Sequence, residues 1–482
     1  MGKNVSIKKA ALINAVAKYS TVFLQLGFTA ILSRILTPQE YGVVAVITVF
    51  VVFFQLFADS GFGVGIIQNK SLNDEDNKNI FSFTVYLGII LMILFMCASF
   101  PISFFYSNKA YIFLGFILSF SLMFSTWNMV PNALLLKNKR FVSVGIRTFL
   151  TALVAYTISL IIALAGGGVY ALAIQSVACS LFLFLWNAVA AKVHFRFLPR
   201  WSSVKKIWGY SLYQFGAQAL NYFNRNLDNL LIGKFFSEET LGYYNKSYSL
   251  VGLPVTHLSG VVTPVLHPVL SDHQDDYDFI YKYYLKLIRF LSLLGCFGAA
   301  FCWYASREII LVAFGNQWNA SIVPFALLSL SIWGQMLTNT IGAIYQSIGK
   351  TKLLFYNLII STSVIVSFIV FGLLTRNINY FSFLVSAAYI LNFFISYFIL
   401  IKIGFRKSLS SFLWSFKDEV LIFVVLMNIG LMWNPFFEKP IIGFLVKFAV
   451  FFGAYCLLLF ITRQYKVFLN FFKKRKKGPY ES

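Results

Sequence analysis

The sequence predicts an all-α integral membrane protein with fourteen transmembrane helices, forming two six-helix lobes and two additional C-terminal helices. Three observations predict this fold class: an apolar composition, a regular series of long apolar runs, and short segments that recur in the second half. The 482 residues are 59% hydrophobic and only 12% charged, and the mean hydropathy is +0.75. Soluble domains carry about 25% charged residues, so this composition indicates that most of the chain lies in a bilayer.

Apolar runs long enough to cross a bilayer as helices recur along the whole chain. In order, they predict spans at 11–33, 41–60, 80–100, 110–136, 141–165, 168–190, 206–232, 241–270, 282–304, 320–347, 352–374, 379–401, 417–433 and 440–462. The connections between them are too short to fold as a separate soluble domain.

The distribution of Lys and Arg predicts the orientation. If the N-terminus is cytoplasmic, most of the 40 Lys and Arg fall in cytoplasmic segments. The outer loops then hold only Arg34, Lys109, Lys234, Arg307, Arg376 and Lys439. Because short loops rich in Lys and Arg stay inside, both termini are predicted to be cytoplasmic. The net charge of +23 is therefore interpreted as topological, and no nucleic-acid partner is expected.

Short segments of the first half recur about 200 residues later. Arg34 to Thr37, followed by Tyr41 and Gly42, is echoed by Lys234 to Ser237, followed by Leu241 and Gly242. Residues 137–141 and 192–196 are likewise echoed by 349–353 and 402–406. These matches predict an N-lobe at 1–200, a C-lobe at 201–405 and an appendix at 406–482. Because each lobe has six spans, both enter from the same side, as in a parallel repeat.

The helix before each repeated junction carries a stripe of polar residues. The stripe comprises Asn14, Lys18, Thr21 and Gln25 in the first copy, and Gln214, Gln218, Asn221 and Arg225, followed by Asp228, in the second. Steps of three and four residues keep such side chains on one helix face. A polar face repeated in two apolar helices indicates lobes that face a water-filled cavity, as in transporters built from repeats.

Ionisable residues inside spans are expected to face a cavity or a partner. Arg225 lies too deep for easy snorkelling; it is either an anion site in the cavity wall or an internal partner of Asp228. Lys18, Arg147 and Lys246 are either interfacial cations or further members of a cationic cavity. Such a cavity suits a phosphate or another anionic group.

Acidic residues are scarce, and Asp59 and Asp228 are the only two expected in or near the spans. Asp228 is a candidate for binding a coupling ion; its alternative role is the pair with Arg225. Lys447 lies near the middle of the last span, and a groove-facing role is one interpretation. The chain lacks nucleotide-binding and nucleophile motifs, which favours a secondary transporter over an enzyme. No cofactor or metal is expected, and sodium ion, proton and membrane potential all stay open as driving forces.

The segment from Asn221 to Tyr248 reads NYFNRNLDNLLIGKFFSEETLGYYNKSY. It resembles the centre of bacterial polysaccharide exporters of the Wzx and teichuronic-acid type, in the multidrug/oligosaccharidyl-lipid/polysaccharide (MOP) flippase superfamily. Residues 32–42 and 58–63 are similar to the same family. The resemblance implies two six-helix lobes in a V, two extra helices, and flipping of undecaprenyl-pyrophosphate-linked oligosaccharide to the outer leaflet. The family's cationic cavity falls on Lys18, Arg147, Arg225 and Lys246.

The resulting hypothesis is a lipid-linked oligosaccharide flippase of the bacterial cytoplasmic (inner) membrane, serving lipopolysaccharide or exopolysaccharide export. The expected sugar-binding residues are Asn14, Gln25, Gln214, Gln218 and Asn221, with the pyrophosphate near Arg225 and either Lys18 or Arg147. Expected partners are the polyprenyl-pyrophosphate-linked glycan, membrane lipids, and polysaccharide polymerase and assembly proteins. The alternatives are a multidrug exporter of the same superfamily, a peptidoglycan-precursor flippase and a membrane glycan polymerase.

Overall fold

The computed structural model describes residues 7–58, 62–69, 71–206, 222, 226–271 and 276–472, and the regular structure of those residues is helical. Within these ranges, nine helices are long and apolar enough to cross a membrane, or ten if a pair bent by 52° is one broken span. The protein is therefore a multi-pass membrane protein. The predicted number of fourteen spans stays a prediction.

The chain divides into two compact units, Met1–Gly242 and Tyr243–Ser482. The helices that begin in the first unit are α1 (Ile7–Ile35), α2 (Pro38–Ala58), α3 (Phe62–Gln68), α4 (Asp74–Tyr106), α5 (Ala110–Lys137), α6 (Phe141–Leu164), α7 (Val169–Ala191) and α8 (Glu238–Ser271). Residues 201–206 and 226–235 are also helical. The predicted lobe boundaries at 200/201 and 405/406 stay predictions.

The second unit continues with shorter helices between its long ones. They are α9 (Tyr277–Tyr304), α10 (Ser306–Phe314), a 3₁₀ turn (Asn316–Ser321), α11 (Ile322–Ser329), α12 (Ile332–Thr338), α13 (Ile341–Ser347), α14 (Thr351–Leu374), α15 (Ile378–Phe398), a π-helical turn (Ile399–Gly404), α16 (Leu409–Trp414), α17 (Lys417–Met432), α18 (Pro440–Ile461) and α19 (Tyr465–Phe472). The predicted tenth span is the bent pair, because its helix is interrupted between Ser329 and Ile332.

The two junctions that are echoed in the sequence fold in the same way. In each, a helix stops at residue 35 or 235, two residues are non-helical, and the next helix starts at residue 38 or 238. The Oγ1 of Thr37 accepts a hydrogen bond from the Glu40 amide at 3.3 Å. The Oγ of Ser237 accepts one from the Thr240 amide at 3.1 Å. A hydroxyl that caps the first turn explains why Thr and Ser stand at matching positions.

Gly42 and Gly242 allow the two capped helix starts to touch. A Cβ added to Gly42 would lie 1.7 Å from the backbone oxygen of Glu238, and one added to Gly242 would lie 1.9 Å from that of Pro38. The contacts are reciprocal, because Pro38 and Glu238 open the two matching helices. Only glycine permits such a close approach of two backbones. The sequence echo thus corresponds to a local two-fold contact, whereas the six-helix repeat as a whole stays a prediction.

Aromatic packing joins the last long helix, α18, to α9. Phe297 lies with its ring centroid 4.8 Å from that of Tyr455, and Tyr304 stacks on Phe451 at 4.9 Å. Large rings in such offset and stacked arrangements contribute both buried area and specific geometry. The predicted appendix is thus fixed to α9 by a core of its own.

Two buried acids in this region correct the prediction that Asp59 and Asp228 are the only acids in or near the spans. Glu419 of α17 is fully buried and accepts a hydrogen bond from the Arg289 Nε at 3.0 Å. Glu308 of α10 is also buried and forms an ion pair with Lys447 of α18 at 2.9 Å. Glu308 follows Arg307, which the sequence analysis placed in an outer loop, but residues 306–314 fold as a helix packed on α18. Burial of these acids is possible because each has a cationic partner.

Candidate functional site

A polar pocket of about 220 Å³ lies inside the first unit, between helices that are each apolar enough to span a membrane. It is lined by Gln55 of α2, by Ser125, Asn128, Met129 and Asn132 of α5, and by Ser180 and Leu183 of α7. The α5 residues are spaced by three and four positions, which places them on one helix face. Neutral hydrogen-bonding groups therefore line a cavity within an otherwise apolar bundle.

Arg147 of α6 supplies a cation beside this pocket. Its Nη2 donates a hydrogen bond to the Oδ1 of Asn132 at 2.7 Å, and Asn132 lines the pocket. The side chain is 4% exposed, and its Nε and Nη1 are buried without a hydrogen-bond partner among the described residues. A buried guanidinium with unused donors is costly unless a ligand or water satisfies it. The geometry therefore suits an anionic or oxygen-rich ligand near Asn132.

Amide and hydroxyl groups connect the helices around the pocket. The Nδ2 of Asn187 donates to the Oδ1 of Asn128 at 2.5 Å, and the Oγ of Ser125 donates to that of Ser180 at 3.2 Å. Asn187 is fully buried, and its own Oδ1 has no partner among the described residues. An amide offers both donors and acceptors, so this arrangement matches the mixed hydrogen bonding of a sugar hydroxyl.

Sequence reasoning did not select Gln55, Asn128, Asn132 or Asn187. Each is neutral and lies within an apolar run. Burying a neutral side chain in a membrane costs less free energy than burying an ionisable one, so these residues are weaker indicators of a site. A signal was nevertheless present in the spacing: 128 and 132, like 180 and 187, lie on common helix faces. Polar stripes in α5 and α7 would have indicated a cavity wall in the same way as those of the repeated junctions.

Lys246 lies in an aromatic environment in the second unit. Its side chain is buried, and its Nζ lies 5.0 Å from the ring centroid of Phe314 and 5.6 Å from that of Trp318. Both distances are within the range of cation–π attraction. The neighbouring Ser247 donates to the Ser321 carbonyl at 3.0 Å, which holds α8 against the 3₁₀ turn. Lys246 is thus buried among aromatic rings, and its role as a cavity cation stays a prediction.

The other predicted site residues are placed only in part. Asp228 is buried on the helical stretch 226–235, where its Oδ1 accepts a hydrogen bond from the Asn229 amide at 2.8 Å. Gln25 is exposed on α1. Asn14 and Lys18 lie on α1, with their side chains outside the described part. Gln214, Gln218, Asn221 and Arg225, like Asp59, lie outside the described residues, so the pair of Arg225 with Asp228 stays a prediction.

Two known proteins similar to this chain are named for the biosynthesis of teichuronic acid and of lipopolysaccharide. The teichuronic acid biosynthesis protein TuaB of Bacillus subtilis (strain 168) is 22% identical over 352 residues, covering 73% of each chain. The lipopolysaccharide biosynthesis protein WzxC of Escherichia coli (strain K12) is 22% identical over 404 residues, covering 81% of this chain and 80% of WzxC.

The structural comparison identifies the fold. The lipid II flippase MurJ, solved in an inward closed conformation, superposes with a TM-score of 0.76 over 95% of this chain and 100% of MurJ, at 13% sequence identity. Such low identity establishes the fold and nothing finer. The polysaccharide biosynthesis protein family matches residues 31–323, which is more than half of the chain. The chain therefore belongs to the polysaccharide biosynthesis protein family.

Proposed function

We propose that this protein flips an undecaprenyl-pyrophosphate-linked oligosaccharide from the cytoplasmic to the outer leaflet, by alternating access around a cationic cavity. Membership of the polysaccharide biosynthesis protein family and the MurJ-like fold support a transporter of lipid-linked glycan. The observation that carries the proposal is Arg147, a buried cation with unused donors beside a polar pocket inside the membrane-spanning helices.

The chemistry of the pocket fits the two parts of such a substrate. The neutral amides and hydroxyls of Gln55, Asn128 and Ser180 offer donors and acceptors to sugar hydroxyls. The guanidinium of Arg147 offers charge-assisted hydrogen bonds to a phosphate oxygen, which are stronger than neutral ones. The sequence also predicts Lys18, Arg225 and Lys246 as cavity cations, and their contribution to binding pyrophosphate is part of this proposal.

The remaining steps follow from the energetics of a lipid-linked substrate. The polyprenyl tail stays in the bilayer, because moving it into a polar cavity would forfeit about 0.8 kcal/mol per buried CH₂. The polar head alone enters the cavity and is released on the other side. Asp228 is the candidate residue for a coupling sodium ion or proton, with the membrane potential as the alternative driving force.

A multidrug exporter is the nearest alternative, and the lining of the pocket argues against it. Cationic drugs are best bound by carboxylates, whereas the described pocket lining is neutral and the charged side chain beside it is Arg147. A peptidoglycan-precursor flippase would carry the same lipid pyrophosphate, so only the identity of the glycan separates it from the main proposal. A glycan polymerase, by contrast, would act after the substrate has been flipped.

The proposal is tested by deleting the gene in the native host and analysing lipid-linked glycan and surface polysaccharide. We expect linked glycan to accumulate on the cytoplasmic leaflet while surface polymer is lost. Unpolymerised units on the outer leaflet would indicate a polymerase instead. Normal surface polymer with raised drug sensitivity would indicate a multidrug exporter, and loss of peptidoglycan synthesis would indicate a precursor flippase.

Complementation by Arg225→Ala at normal protein level would contradict the predicted role of Arg225, whereas Arg225→Lys is expected to retain part of the export.

A further inference from the structure

A second polar pocket, of about 380 Å³, lies within the second unit. It is formed by the end of α9, the first turn of α10, one face of α11, and the chain from the end of α17 into α18. Its polar lining includes Tyr304, Arg307, Glu308, Asn434 and Lys447. The distribution of Lys and Arg along the chain predicts that this end of the helices is extracytoplasmic. Neither the family match nor the proposed export cavity gives this pocket a role.

Charges of both signs are held in this pocket. The Nζ of Lys447 lies 2.9 Å from the Oε2 of Glu308 and donates to the Oδ1 of Asn434 at 2.7 Å. Arg307 places its Nη1 3.7 Å from the Oε1 of Glu308 and stacks over Phe436 at 4.4 Å from the ring centroid. The pocket presents both cations and a carboxylate, so a ligand that carries a negative and a positive group finds an opposite charge for each; the one positive charge in excess favours the anionic part.

Two oxygen atoms in the pocket lack hydrogen bonds to the described residues. Tyr304 is 4% exposed, and its hydroxyl has no partner there. The Oε2 of Glu308 meets the Lys447 ammonium at 2.9 Å and has no other partner among the described residues. Buried tyrosine hydroxyls and carboxylates normally find partners. The Tyr304 hydroxyl is therefore a hydrogen-bonding group of the pocket wall that a ligand would satisfy.

The surroundings of the pocket indicate where the ligand comes from. Three apolar side chains at or beside the helix ends around the pocket are exposed: Met432, Phe436 and Ile441. Exposed apolar side chains at the end of a spanning helix face lipid, and a charged pocket beside them meets the head-group layer. A membrane lipid therefore reaches this pocket without leaving the bilayer.

We propose that this pocket binds the head group of a membrane phospholipid that carries a phosphate and a primary ammonium, as in phosphatidylethanolamine. Arg307, Lys447 and the Tyr304 hydroxyl donate to the phosphate, and Glu308 accepts from the ammonium. The acyl chains lie along the exposed apolar residues outside. The bound lipid bridges α10, α17 and α18, and this role is independent of the flipped substrate.

The test is thermal unfolding of the purified full-length protein in detergent with added lipid. Phosphatidylethanolamine is compared with phosphatidylglycerol, phosphatidylcholine and soluble O-phosphoethanolamine. We expect phosphatidylethanolamine at saturation to raise the unfolding midpoint by about 3 °C, and the others by less than half of this. Tyr304→Phe removes only the hydroxyl without a protein partner, so it should leave the lipid-free midpoint unchanged and lose most of the shift. Arg307→Gln should also lose the shift.

Tyr455→Phe is the matched control, because the Tyr455 hydroxyl donates to the Leu293 carbonyl at 3.1 Å. It should lower the lipid-free midpoint and keep the full lipid shift. Equal shifts with all three lipids, or a full shift in both Tyr304→Phe and Arg307→Gln, would overturn the proposal. A larger shift with phosphatidylglycerol would overturn recognition of the ammonium. An equal shift with O-phosphoethanolamine would overturn the lipid as the source.

Discussion

The two polar pockets differ in how they use their buried cations. In the first unit, Arg147 is held through one hydrogen bond to Asn132 while its other buried donors have no partner among the described residues. In the second unit, Lys447 is neutralised by Glu308 and hydrogen-bonded to Asn434. Both side chains are almost completely buried. The difference lies in the partner: the first cation faces neutral groups, and the second faces a carboxylate.

This difference predicts how the stability of the ligand-free protein depends on each cation. A buried cation without a counter-ion raises the free energy of the empty protein and is retained where a ligand supplies the missing charge. A cation that is paired with a buried carboxylate already holds helices together when no ligand is bound, so its removal should lower stability. Arg147 and Lys447 should therefore respond in opposite ways when each is replaced by a neutral residue of similar length.

The largest expected effect is on stability, in Lys447→Met. Removing Lys447 leaves the buried Glu308 with the partly exposed Arg307, 3.7 Å away, as its remaining cation among the described residues. This costs up to about 3–5 kcal/mol of unfolding free energy. The double variant Glu308→Gln/Lys447→Met removes both charges and should recover most of this loss. Thermal unfolding in detergent measures both. A double variant as unstable as the single one would show that Lys447 stabilises the fold by something other than pairing.

Arg147→Met tests the other side of the comparison. Because this change removes an unpaired buried charge, the unfolding midpoint should stay the same or rise. Export should fall roughly ten- to a hundredfold, as expected for the loss of hydrogen bonds to a charged group worth about 1.5–3 kcal/mol. The measurement is surface polysaccharide in the complemented deletion strain.

Two further variants sharpen the Arg147 result. Arg147→Lys should retain part of the export, because it keeps the charge but loses the planar donors. Arg140→Met is the control, since Arg140 is exposed and its described hydrogen bond is to the Ala190 carbonyl at 3.1 Å. Full export by Arg147→Met at normal protein level would remove Arg147 from the site.

A smaller effect is expected from the neutral side of the same pocket. Asn128→Ala removes one amide that lines the pocket and the acceptor for Asn187. The loss of one neutral hydrogen bond is worth about 0.5–1.5 kcal/mol, so export should fall roughly two- to tenfold. Ser119→Ala on the same helix is the control, because its hydroxyl donates to the Phe116 carbonyl and does not line the pocket. Equal losses in both variants would indicate general damage to α5.

The contrast between the pockets also shows which features are readable from sequence. Hydropathy predicted a multi-pass helical protein, and residue types at 37–42 and 237–242 predicted two matching junctions, because both signals are local. Arg147 and Lys246 were selected because a cation in an apolar run is rare. The pair of Glu308 with Lys447 was missed, since 139 residues separate its members and only packing of α10 on α18 joins them.

An exposed ion pair gives the smallest expected effect and completes the comparison. Lys407 lies 2.5 Å from Asp278 at the surface of the second unit, and this hydrogen bond and charge raise the pKa of Lys407 above its ordinary value of 10.5. A raised lysine pKa stabilises the fold below pH 10.5, and this contribution is lost as the pH rises through the folded-state pKa. Water and salt screen the attraction, so Asp278→Asn should shift the unfolding midpoint at pH 7 by less than about 1 °C. A shift as large as that of Lys447→Met would mean that burial is not what distinguishes the two pairs. A negligible shift would show that the effect of Lys447→Met comes from exclusion of water around Glu308 rather than from the presence of an ion pair.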